Sequence, residues 1–145
     1  MTAAAASLSG RLDARAHGRA ALVGFGAGLV AVAVGALLPD AVAYVYFGAQ
    51  LAAIGWVYFG FGVADGRPVS IAVQVLSASV FLTVGFLGAY HQSTVLLGLG
   101  FIAHGAWDWV HHDGRGPTHV RTWYPPFCVT VDVVTGVPIL AGWLF

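Results

Sequence analysis

The chain has 145 residues, of which 59% are hydrophobic and only 8% are charged, and its formal net charge at pH 7 is zero. Soluble domains carry about a quarter of their residues as Asp, Glu, Lys and Arg, so this composition excludes a water-soluble enzyme, a nucleic-acid-binding protein and a disordered tail. We therefore predict an integral membrane protein of one domain whose main partner is the lipid bilayer.

Five apolar stretches approach the roughly 20 residues that a helix needs to cross the hydrocarbon core of a bilayer. Residues 1–19 are rich in Ala, Ser and Arg and are predicted to form a cytoplasmic tail, which leaves residues 20–145 as a single transmembrane domain. In chain order, the predicted spans cover residues 20–38, 41–64, 69–90, 93–110 and 127–145. The predicted fold class is an all-α polytopic membrane bundle of five transmembrane helices.

The first span has two features of its own. Ala20, Gly24 and Gly28 share one helical face, and small residues in this spacing let a neighbouring helix approach closely. Because arginines precede the apolar stretch and residues 41–43 match a cleavage-site pattern, a secretory signal peptide is the alternative interpretation. Signal peptides usually contain about 7–15 apolar residues, and this stretch is longer, so we predict a retained span.

The six arginines indicate how the chain is oriented. Three precede the first span, one lies between the second and third, and two lie between the fourth and fifth: Arg11, Arg15, Arg19, Arg67, Arg115 and Arg121. With five spans, all of these segments lie on one side, so the positive-inside rule predicts a cytoplasmic N-terminus and an external C-terminus in a bacterial or archaeal plasma membrane. Tyr and Trp residues near both boundaries, Tyr58 among them, are typical of interfacial belts.

A group of ionisable residues lies at the end of the fourth predicted span. It consists of His104, Asp108, His111 and His112. On an ideal helix these four side chains occupy an arc about 100° wide. They predict a polar stripe that runs from the bilayer to the cytoplasmic boundary, at a depth where ionisable groups usually have a partner or a function.

The fifth span carries a matching polar face. Cys128, Asp132 and Thr135 are spaced i, i+4, i+7, and Asp132 lies roughly 9 Å inside its boundary at 1.5 Å per residue. This is also the depth predicted for His104, so we expect His104, Asp108 and Asp132 to converge between two adjacent helices. The residues expected around this cluster are Gln74 of the third span and, at the cytoplasmic mouth, His111, His112 and His119.

Imidazole and carboxylate groups together are usual ligands of Zn²⁺ and of non-haem iron. The sequence therefore predicts a Zn or Fe site at the cytoplasmic leaflet. Its candidate ligands are His104, Asp108, His111, His112 and Asp132. Such an ion would activate water for the hydrolysis of a lipid or another apolar small molecule, with His104 and Asp132 as catalytic residues and Asp132 as ligand, general base or orienting group.

Two other interpretations of the same cluster stay open. In one, the protein is a non-catalytic structural or partner-binding membrane component, and the cluster only stabilises helix packing. In the other, Asp108 and Asp132 form the pathway of a small proton-coupled carrier. Two further histidines, His17 in the tail and His91 at the outer end of the third span, are predicted to take no part.

The pattern HxxxDxxHH at residues 104–112, followed by WYPPxCxxxD at residues 123–132, resembles the signature of a family of small uncharacterised bacterial integral membrane proteins. This resemblance covers residues 90–136 and implies no established activity. The histidine pattern is also similar, more loosely, to histidine-rich membrane metalloenzymes: lipid hydrolases of the alkaline ceramidase type and fatty acid desaturases. That similarity implies metal binding at cytoplasmic helix ends, although the other desaturase histidine boxes and the ceramidase serine motif are absent.

Overall fold

The computed structural model describes the backbone of residues 3–145 and the side chains from residue 13 onwards. Within this range the chain forms five α-helices and one short 3-10 turn, and it contains no strand. The helices are α1 (Ala3–Ala36), α2 (Asp40–Asp65), α3 (Pro68–Tyr90), α4 (Thr94–Val110) and α5 (Tyr124–Leu140). The predicted all-α class is confirmed.

Three of the helices are long and apolar enough to cross a membrane, namely residues Asp13–Ala36 of α1 and the whole of α2 and α3. The helices α4 and α5 have 17 residues each, or about 26 Å at 1.5 Å per residue. Large apolar side chains on every helix point outward, and Leu22 and Leu76 are 71% and 68% exposed. Apolar surface of this extent suits contact with lipid rather than water.

The helices differ from the bounds of the predicted spans at three ends. The first helix begins at Ala3 rather than near residue 20, because the alanine-rich segment that precedes the apolar stretch favours helix. The last helix begins at Tyr124, three residues before its predicted start, and ends at Leu140 rather than 145. Pro125 and Pro126 occupy its first positions, where a proline removes no helical hydrogen bond.

The five helices pack in two groups. α2 packs mainly on α3, and α5 lies between α1 and α4. The α2–α3 contact is so close that a Cβ atom built on Gly48 would lie 2.5 Å from the carbonyl oxygen of Gly85. The small-residue face predicted on α1 packs on α5, where Gly24 contacts the backbone of Phe127. The helix that approaches this face closely is therefore α5 of the same chain.

One end of the bundle gathers the arginine-bearing segments. Arg67 Nη2, in the α2–α3 turn, donates to the carbonyl oxygen of Pro117 in the α4–α5 connection (2.8 Å), and the ring centroids of His17 and His112 lie 5.2 Å apart. We call this end the arginine end. Its described arginines, all exposed, are Arg15, Arg19, Arg67, Arg115 and Arg121. At the opposite end, Phe145 stacks on Tyr44 of α2.

Candidate functional site

Three of the predicted ligands meet between α4 and α5. His104 and Asp108 are one helical turn apart on α4, so their side chains share a face, and Asp132 faces them from α5. The two helices approach closely here because residue 105 is glycine: a Cβ atom on Gly105 would lie 3.3 Å from Cβ of Asp132. We call His104, Asp108 and Asp132 the His104 centre.

The distances within the His104 centre are those of directly interacting groups. His104 Nδ1 lies 2.8 Å from Asp132 Oδ2 and 3.3 Å from Asp108 Oδ2. One ligand atom from each of the three residues lies within 4.8 Å of the other two. All three side chains are at most 1% exposed. They therefore meet at a buried position, as their spacing and depth in the sequence predicted.

Tyr58 of α2 is a fourth member of this environment that the sequence did not reveal. Its hydroxyl group donates to Asp108 Oδ1 (2.5 Å), and its side chain is fully buried. Our assignment of Tyr58 to an interfacial belt was therefore wrong. Fifty residues separate it from Asp108, and the even hydrophobicity of α2 gives no signal for which tyrosine faces inward.

Two polar atoms of the His104 centre, His104 Nε2 and Asp108 Oδ2, are buried without a hydrogen-bond partner, as are Trp107 Nε1 of α4 and Thr135 Oγ1 of α5. A buried polar atom left unpaired costs about 1–3 kcal/mol, so the free atoms of His104 and Asp108 favour a further partner at the centre. The rings of Phe81 and Tyr58 pack edge-on against the imidazole of His104, which keeps the surroundings apolar.

The charges of the His104 centre do not balance within the described residues. It contains two carboxylates and one imidazole, so even an imidazolium leaves one negative charge without a counter-charge. The described arginines are exposed at the arginine end. Because an isolated buried charge is costly, the centre requires either a proton on one carboxyl group or a bound cation.

His111, a predicted ligand, lies outside the His104 centre. Gln74 Nε2 donates to His111 Nε2 (3.0 Å) and to Thr118 Oγ1 (2.8 Å), and His111 Nδ1 donates to the carbonyl oxygen of Trp107 (2.9 Å). Both ring nitrogens are thus occupied, and burial lowers the pKa of His111. The structure does not bring His111 or Gln74 to the carboxylates; a neutral His111 instead ties α3 to α4.

His112, also a predicted ligand, faces another direction because α4 ends at Val110. The helical projection that placed it beside His104 therefore no longer applies. Its Nδ1 atom lies 3.0 Å from Asp113 Oδ2, and its ring stacks on Trp109 and lies beside His17. His17, which was predicted to take no part, is thus within reach of a second histidine.

A cavity of about 600 Å³ opens at the arginine end, lined by Phe61, Ala64, Asp65, His119 and Arg121. His119, which was predicted at the cytoplasmic mouth of the His104 cluster, lines this cavity. Asp65 accepts hydrogen bonds from Arg67, which raise the pKa of the Arg67 guanidinium group, and from Ser70. The ring of Phe61 packs against Tyr58 and Tyr124, and Tyr58 in turn contacts Asp108 of the His104 centre.

The remaining polar residues singled out in the sequence do not extend the centre. Cys128 and Thr135 share the buried face of α5 with Asp132, as their spacing predicted, whereas His91 is exposed at the end opposite the arginines.

Comparison of the chain with protein-family models, with curated proteins and with solved structures finds no match.

Proposed function

We propose that the chain is an integral protein of a bacterial or archaeal plasma membrane that crosses the bilayer five times, with its N-terminus in the cytoplasm. The meeting of the described arginine segments at one end of the bundle supports this orientation, because an odd number of spans brings these segments to one side. The same arrangement supports an external C-terminus, since Phe145 lies at the opposite end.

Cysteine labelling in intact cells tests this topology. The only native cysteine, Cys128, is buried, and Cys128→Ala provides the background. With a membrane-impermeant maleimide, we expect His91→Cys and Trp143→Cys to be labelled in intact cells, and Thr122→Cys only after permeabilisation; all three positions are exposed. Labelling of Thr122→Cys in intact cells would contradict the proposed orientation, and failure to label Trp143→Cys would contradict the external C-terminus.

The His104 centre is proposed to bind one divalent metal ion, Zn²⁺ or Fe²⁺. The observation that carries this proposal is the unbalanced pair of buried carboxylates around one imidazole. A dication with two carboxylates and a neutral imidazole forms a neutral group. Ligand atoms in a tetrahedral zinc site lie about 3.3 Å apart, given bonds of about 2.0–2.1 Å, and His104 Nδ1 lies 3.3 Å from Asp108 Oδ2.

Asp132→Asn separates a metal centre from a metal-free polar contact. The asparagine oxygen still accepts a hydrogen bond from His104, but one negative charge is lost. If the centre holds a dication, we expect the purified variant to contain one ion fewer per chain than the wild type by elemental analysis. We also expect chelators to lower the melting temperature of the wild type by more than that of the variant, since an ion that binds the folded state stabilises it.

The matched control is Asp40→Asn, which neutralises an exposed carboxylate of α2 at the opposite end and should change neither the ion content nor the response to chelators. Two results together would contradict the metal proposal. The wild type would contain no bound ion after purification with Zn²⁺ or Fe²⁺ supplied, and the Asp132→Asn variant would be at least as stable as the wild type. In that case the residues form a structural contact, or, if Asp108→Asn and Asp132→Asn abolish a pH-driven flux in proteoliposomes, a proton pathway.

We also propose hydrolysis of a lipid ester, or of a similar apolar small molecule, as the activity of this centre. The observation that favours it is the cavity at the arginine end, because its lining residue Phe61 packs on Tyr58 and the hydroxyl group of Tyr58 donates to Asp108. Water would attack the carbonyl carbon of the ester. Asp132 would accept its proton and return it to the leaving oxygen as the C–O bond breaks, giving an acid and an alcohol.

The assay is fatty acid release from lipid esters in mixed micelles, at matched ion content in the wild type and Asp40→Asn. We expect release from both, and none from Asp132→Asn. Metal-loaded wild type that releases no acid from such esters would contradict the hydrolytic role while leaving the metal centre intact.

A further inference from the structure

A second group of potential metal ligands lies at the surface of the arginine end, apart from the His104 centre. It consists of His17 of α1 and of His112 and Asp113 in the 3-10 turn after α4, and one ligand atom from each lies within 4.8 Å of the other two. We propose that these three residues bind a divalent transition-metal ion, such as Zn²⁺, Ni²⁺ or Cu²⁺. We call them the His17 site.

The backbone of the turn is shaped in a way that presents these ligands together. Asp113 has φ 56° and ψ 29°, the left-handed conformation, which side-chain-bearing residues rarely adopt although Asp tolerates it better than most. The following Gly114 is also left-handed, with φ 71°. In this turn of two left-handed residues, Asp113 Oδ2 lies 3.0 Å from His112 Nδ1.

The orientation of the His112 ring is set by Trp109. The two rings stack with centroids 5.0 Å apart and an interplanar angle of 19°, so the imidazole is held in one plane while its partner from α1 approaches. The side chain of His112 is 17% exposed and that of Asp113 is 48% exposed. Ions therefore reach the ligands from water without any opening of the bundle.

The ligand set determines which cations suit the His17 site. Two imidazoles and one carboxylate favour Zn²⁺, Ni²⁺ and Cu²⁺ over Mg²⁺ and Ca²⁺, which prefer oxygen ligands. Arg15 and Arg19 lie two residues on either side of His17 on α1, so the local charge gives no general attraction for cations. Three protein ligands leave at least one coordination position to water. The bound ion would link α1 to the end of α4.

A Cu²⁺ or Ni²⁺ titration tests the His17 site, because these ions quench the fluorescence of a nearby tryptophan and Trp109 is 60% exposed beside His112. We expect saturable quenching with one ion per chain in the wild type. His17→Ala should weaken it at least tenfold. Asp113→Asn, which keeps the left-handed backbone, should weaken it without altering the fold, and Trp109→Phe should remove the signal while calorimetry still detects binding.

His91→Ala is the matched control, since it removes an exposed histidine at the opposite end and should leave the titration unchanged. Repeating the titration with Asp132→Asn separates the two sites: the His17 site should still bind its ion when the His104 centre cannot. Equal affinity in the wild type, His17→Ala and Asp113→Asn would overturn the proposal, whatever the metal content of the buried centre.

Discussion

Gly48→Ala lowers the free energy of unfolding by about 3 kcal/mol, at the upper end of the usual cost of overpacking. The added methyl group would lie 2.5 Å from the carbonyl oxygen of Gly85. This neighbour is backbone, so it gives way only if α2 and α3 move apart. These two helices form one of the two packing groups of the bundle, so their separation removes contacts along both.

Gly60→Ala in the same helix is the matched control and should have the opposite sign. Nothing lies within 4 Å of a Cβ atom built on Gly60, and alanine is favoured over glycine in a helix interior by roughly 0.5–1 kcal/mol. Denaturant titration in a mild detergent, followed by circular dichroism, measures both values. A Gly48→Ala protein as stable as the wild type would show that the α2–α3 contact is looser than described.

His104→Ala is expected to destabilise the protein by about 3–5 kcal/mol, because it removes the imidazole from two buried carboxylates and leaves Asp108 with the Tyr58 hydroxyl group. The loss is expected whether the imidazole holds a metal ion or only a proton, since Asp108 and Asp132 depend on it in both cases. The same titration measures it, and His91→Ala, at an exposed position, should lie within about 0.5 kcal/mol of the wild type.

The double variant His104→Ala/Asp132→Asn shows whether uncompensated charge causes the loss of stability in His104→Ala. If the cost of His104→Ala comes from the uncompensated carboxylates, removal of one of them should recover part of the stability, and the two changes should not be additive. A double variant less stable than His104→Ala would instead attribute the loss to the cavity that the imidazole leaves. His104→Ala and His91→Ala variants of equal stability would contradict both accounts.

The sequence contained enough information to predict the main features of the His104 centre. The apolar stretches marked α1, α2 and α3, because they are long enough for helices that cross a membrane. The i, i+4 spacing of His104 and Asp108 placed them on one face of α4. The equal depth of Asp132 on the next helix was sufficient to predict that it meets them, because a short connection keeps α4 and α5 adjacent.

The predicted ligand set failed where the helix ended. His111 and His104 point in nearly the same direction on an ideal helix, but seven residues separate them, roughly 10 Å along the axis. His111 consequently meets Gln74 of α3 instead of Asp132. His112 follows the end of α4, where angular projection no longer holds. Tyr58 was missed because it lies on α2, far from Asp108 in the sequence. Whether it faces Asp108 depends on the rotation of α2 about its own axis, and the hydrophobicity of α2 does not specify that rotation.

The pairing of α1 with α5 has a consequence for how the protein is made. α1 is synthesised before α5, yet α5 is its main partner, and α1 has little contact with α2, which follows it directly. Its glycine-rich face at Gly24 and Gly28 therefore lacks this partner until α5 has been synthesised. Chains that stop before Tyr124 would lack α5 and would leave this face of α1 without its partner. We expect such truncated chains to be substrates of the proteases that degrade unassembled membrane proteins.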